Sequence, residues 1–122
     1  MHWIRTLAEE ARRRAEVTED PSEEELDRMA ELLGVKIVYR AVPCPYCVHT
    51  PQGPLIVRPR HWRDNHGDAY SHELGHAVTN PGGGEIICAV WPGSPKHERL
   101  ARLWRDRDEA YAEEFARVLR GQ

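Results

Sequence analysis

The sequence predicts an α+β fold, with a short antiparallel β-sheet packed on a central helix and flanked by further helices. Three observations predict it. Apolar residues recur at helical spacing near both ends and again around Leu74; β-branched runs at 35–39 and 55–57 read as strands; and a Pro-rich stretch separates those two runs. With 122 residues the chain is expected to form one domain, 1–122. Hydrophobic residues make up 40% and charged residues 30%, which excludes a disordered chain. The net charge of −3 gives no basic footprint for nucleic acid. No apolar run approaches the ~18 residues of a membrane span. No secretory signal pattern opens the chain, and three cysteines are too few for a disulfide scaffold. A cytoplasmic location is expected.

The elements follow in order. Trp3, Ile4, Leu7, Ala8, Ala11 and Ala15 predict a first helix within 1–17, with Arg12, Arg13 and Arg14 on its solvent side. Thr18-Glu19-Asp20-Pro21 breaks it. Ser22 stands three residues before Glu25, the signature of a capping box. Leu26, Met29, Leu32 and Leu33 then predict a helix at about 22–33, ended by Gly34. Val35–Tyr39 reads as a strand and Leu55-Ile56-Val57 as its hairpin partner. The intervening prolines, Pro43, Pro45, Pro51 and Pro54, predict an irregular connection.

Asp64 to Thr79 reads as a helix with Tyr70, Leu74, Ala77 and Val78 on one side, stopped by Asn80-Pro81. Glu85–Trp91 reads as a short strand or extended wall. Ser94-Pro95 is a helix start. Leu100, Leu103, Trp104, Tyr111, Ala112, Phe115, Val118 and Leu119 carry that helix to the C-terminus, with charges crowding a potential kink at Asp106.

The chemistry is concentrated in Ser71-His72-Glu73-Leu74-Gly75-His76-Ala77. On a helix, His72 and His76 lie one turn apart on the same face and can converge on one metal ion. Zinc takes such imidazole nitrogens and prefers four-coordination. Glu73 follows the first histidine and can act as general base on a zinc-activated water without ligating the ion. A catalytic zinc wants a third protein ligand, and the last helix offers Asp106, Asp108, Glu109, Glu113 and Glu114. Glu109 borders the apolar stripe and can point along a helix interface, which favours it. Asp108 lies nearer the middle of the stripe with a shorter reach and comes second.

His72-Glu73-Leu74-Gly75-His76 followed by Glu109-x-x-Ala112-x-x-Phe115-Ala116 resembles the ImmA/IrrE family of zincin-like, HExxH (gluzincin-like) metallopeptidases. The resemblance covers about 22–119, leaving 1–20 as an N-terminal helix outside it. It implies a small zincin-like domain, one catalytic Zn2+ held by His72, His76 and Glu109, and Glu73 as the catalytic base. It further implies a metalloendopeptidase acting on a specific protein, such as a helix-turn-helix repressor of a phage, mobile element or stress response. The chain departs from the family at Tyr111 and Glu113, where members often carry Glu and Asn, and in its tail after Ala116.

Cys44-Pro45-Tyr46-Cys47 matches the four letters of the glutaredoxin motif, but Val48-His49-Thr50-Pro51 replaces the helix that should follow. The stretch reads as inert thiols or a local disulfide rather than as a dithiol catalyst. A second zinc on Cys44, Cys47, His49 and Cys88 is the lesser alternative. His61, His66, His97, Tyr70 and Tyr111 are candidates for stabilising an oxyanion, each weighed against an ordinary packing or surface role. Trp62, Trp91 and Trp104 read as core or cleft wall. The alternative to an enzyme is a non-catalytic protein-binding module with a structural or vestigial metal, whose site Cys88 or His97 would close.

Overall fold

The computed structural model describes residues 2–63, 66–79 and 95–122, with backbone only at 95–101 and 104. The expected strand at Glu85–Trp91, the helix start at Asp64, the stop at Asn80-Pro81, the cap at Ser94, Cys88, and the side chains of His97 and Trp104 lie outside the described residues. The elements run α1 (His2–Arg14), α2 (Glu23–Leu32), β1 (Lys36–Arg40), β2 (Tyr46–Thr50), β3 (Gly53–Pro59), α3 (His66–Thr79) and α4 (Pro95–Leu119). The fold class is α+β.

Local chemistry sets the boundaries. Ser22 caps α2 through both bonds of a capping box: Glu25 N–H donates to its Oγ at 3.2 Å, and its own N–H donates to Glu25 Oε1 at 2.9 Å. Gly34 ends the helix at φ +76°, a conformation that suits glycine. Helix α4 runs unbroken for 25 residues, with no break at Asp106.

The sheet departs from the expected antiparallel hairpin. It has three strands in the order β1-β3-β2, and β1 pairs parallel with β3. The antiparallel partner of β3 is β2, which lies inside the stretch read as irregular. The prolines permit this because each sits where no ladder bond is needed. Pro43 and Pro45 precede β2, and Pro51 lies in the turn. Pro54 lies before the first residue of β3 paired with β1, and opposite His49 on β2. Two residues from His49, on the same side of the strand, the Cys47 N–H points away from β3 toward Glu73. The His49–Pro54 pair is thus one that exchanges no bonds.

One core joins the layers. Ile4 and Ala8 of α1, Leu26 and Met29 of α2, Ile56 of β3, Tyr70 and Leu74 of α3, and Phe115 and Leu119 of α4 are all buried in it. Trp3 is the exception on α1: it is 49% exposed and meets Tyr111 edge-on. Arg58 of β3 is 1% exposed, although charged. It pairs with Glu23 and Asp27 of α2 and stacks against Tyr39, Trp62 and Tyr70. Tyr70 Oη adds a bond to Asp27 at 2.6 Å. Trp62 is therefore a wall of the core, as its sequence context suggests.

Candidate metal centre

The crossing of α3 and α4 positions the site. A Cβ on Gly75 would lie 2.5 Å from the Ala112 carbonyl oxygen and 2.7 Å from its Cα. Only glycine lets the two backbones approach so closely. Ala112 is itself buried and small. One turn before it on α4 stand Asp108 and Glu109, opposite His72 and His76 on α3. The spacing of Gly75 with His76, and of Glu109 with Ala112, thus places the polar groups beside the contact point.

His72, His76 and Glu109 converge. His72 Nε2 lies 3.0 Å from Glu109 Oε2, His76 Nε2 lies 2.9 Å from Glu109 Oε1, and the two Nε2 atoms are 3.1 Å apart. Their donor set is that of a site that could hold a metal ion. The fit can be tested on the spacing. Ligand atoms at zinc's bond lengths of ~2.0–2.1 Å in a tetrahedron stand about 3.3 Å apart. The three groups need to open by only a few tenths of an ångström. Among the described residues no fourth His, Cys, Asp or Glu joins the group. The two candidates for closing it, Cys88 and His97, fall outside what is described.

Asp108 takes a place that the sequence reading did not assign to it. Rather than competing with Glu109 as a ligand, its Oδ2 lies 2.9 Å from His76 Nδ1. The side chain is 19% exposed, and Oδ1 is buried without a partner. A carboxylate at Nδ1 keeps the proton there and leaves the Nε2 lone pair facing the other two groups. Adjacent acids on one helix turn were the only signal in the sequence for this division of roles.

Glu73 lies next to the ligand face, turned toward the sheet. Its Oε2 accepts the Cys47 N–H of β2 at 3.0 Å. Among the described residues, β2 is the edge of the sheet on that side. Cys47 is partly buried against the core, and both Cys44 and Cys47 are free thiols. Cys44, Cys47 and His49 do not converge as a second metal group.

The candidates for oxyanion stabilisation divide. His66 is buried and committed at both nitrogens: Arg63 N–H donates to Nδ1 and Nε2–H donates to the Pro43 carbonyl, each at 3.1 Å. Tyr70 is fully buried and donates to Asp27. Tyr111 accepts a bond from Arg107 and packs on Trp3. His61 is exposed.

Comparison of the chain with protein-family models, with curated proteins and with solved structures gives no significant match. No described helix is long and apolar enough to cross a membrane.

Proposed function

We propose that this protein is a zinc-dependent metalloendopeptidase of the zincin type. The observation that carries the proposal is the convergence of two imidazole Nε2 atoms and one carboxylate, 2.9–3.1 Å apart, on a helix that carries Glu73 directly after His72. His72, His76 and Glu109 hold the ion, and Asp108 orients His76. Zinc, when bound, supplies Lewis acidity to the scissile carbonyl and to the attacking water. Glu73 takes the proton of that water and delivers it to the departing amine. Its hydrogen bond to the Cys47 N–H holds the carboxylate still between α3 and β2. The peptide lies extended along the edge of β2, bonding main-chain groups of that edge other than the Cys47 N–H, which Glu73 takes. A cavity of about 200 Å³ borders His72 and is lined by Asp68, Glu113, Arg117 and Arg120, which suits a polar side chain near the cleavage point.

The resemblance to the ImmA/IrrE pattern supports a narrow specificity for one cytoplasmic protein, with a helix-turn-helix repressor as the class to try first. The test is cleavage of a panel of such repressors by the zinc-loaded protein and by Glu73→Gln, read as new N-termini by mass spectrometry. Loss of a general base is expected to slow cleavage by about 10²–10⁴-fold while zinc stays bound. Equal cleavage by both proteins would remove Glu73 from the reaction. Tight repressor binding without cleavage by the wild type would favour a binding module.

A further inference from the structure

Cys44-Pro45-Tyr46-Cys47 takes no part in the proposed reaction, yet it meets the site at the Cys47 N–H. The Cys47 N–H is the group that holds Glu73. The segment is pinned at both ends, by His66 on the Pro43 carbonyl and by Glu73 on Cys47. Tyr46 and Cys47 are strand residues, paired with Val57 and Ile56. An extended chain advances ~3.3 Å per residue. A disulfide needs its two Cα atoms within about 4.4–6.8 Å. Cys44 lies in a bend just before β2, so closing a ring over Pro45 and Tyr46 asks that bend to tighten into a turn that runs into the first strand residues, against the Tyr46–Val57 and Cys47–Ile56 pairings.

We propose that Cys44 and Cys47 form a redox modification site, and that their disulfide withdraws the Cys47 N–H from Glu73. The consequence for catalysis rests on Glu73 being the general base; the structural change does not. The oxidant is a small disulfide such as glutathione disulfide. The Cys44 thiolate attacks one of its sulfurs, forming a mixed disulfide and releasing one glutathione thiolate. Deprotonated Cys47 then attacks Sγ of Cys44, closing the ring and releasing the second. One external disulfide is reduced to two thiols, and two protein thiols are oxidised to one disulfide. The order of attack follows from the surroundings. Cys44 is exposed. Burial, with the carboxylates of Glu73 and Asp108 nearby, pushes the Cys47 thiol up to about 11, which makes it the resolving partner.

The experiment is amide hydrogen exchange by NMR on the ¹⁵N-labelled full chain, in dithiothreitol and after glutathione disulfide, with peptide mapping of the products. The expected result is a Cys44–Cys47 link lacking two hydrogens and exchange of the Cys47 amide at least about tenfold faster. The Leu74 amide stays protected, and dithiothreitol reverses the change. Cys44→Ser is expected to keep the Cys47 amide slow under the same oxidant. A glutathione adduct that stays on Cys44, a link to Cys88 instead, or a closed ring with the Cys47 amide still slow would each overturn the proposal. None of these readouts needs substrate or metal, so such a failure would leave the peptidase proposal standing.

Discussion

Asp108 decides which nitrogen of His76 is free for an ion. A partly buried carboxylate at Nδ1 fixes the tautomer, and the affinity of such sites depends on that outer bond. Asp108→Ala is expected to weaken zinc binding by about 10–100-fold, with helical circular dichroism unchanged. Asp108→Asn, which keeps an acceptor but not the charge, should fall between. Chelator-competition titration checks both, and an affinity equal to wild type would assign Asp108 to packing alone. At this scale the sequence was legible up to direction. The helical repeat points Asp108 and Glu109 toward the interface. It does not say which oxygen reaches which ring nitrogen, because that depends on where α3 and α4 cross.

The crossing is an element-scale property, and Gly75 controls it. Gly75→Ala would drive a methyl group into the Ala112 backbone, which no side-chain rotation relieves. Overpacking of this kind costs about 1–3 kcal/mol. Parting the helices also parts His72 and His76 from Glu109, so zinc affinity should fall together with stability. Urea unfolding and chelator titration of the same variant test the link; a destabilised variant with unaltered zinc affinity would break it. Among the elements, the four described helices were legible because each carries a periodic apolar stripe, and α2 because Ser22 and Glu25 announce its start. The sheet was read less well. Four prolines masked β2, since a proline rule taken alone cannot tell which positions lack a ladder bond. With β2 missed, the parallel pairing of β1 with β3 could not be foreseen.

At the scale of the whole molecule, two of the polar assemblies among the described residues stand at separate contacts of α3. One joins α3 to α4 through the His72–His76–Glu109 group. The other joins α2, α3 and β3 through Arg58, Glu23, Asp27 and Tyr70. The second was not anticipated, though Glu23 and Asp27 are spaced i, i+4 on α2 and Arg58 follows the core residue Ile56 by two. Arg58→Met leaves both acids without their cation. Because those acids are partly exposed, the loss is expected near the low end for broken buried pairs, about 3 kcal/mol by urea unfolding. A change within about 0.5 kcal/mol, the usual range for surface substitutions, would mean the pair adds little.

The proposed function requires one ion that joins α3 to α4 through three side chains. The most direct test is the zinc content of the purified wild type beside His76→Ala and Glu109→Ala, measured by mass spectrometry of the metal after dialysis against a weak chelator. About one equivalent in the wild type, sharply reduced in both variants, is the predicted result. One equivalent that survives both substitutions would place the ion elsewhere in the chain and contradict the proposed function.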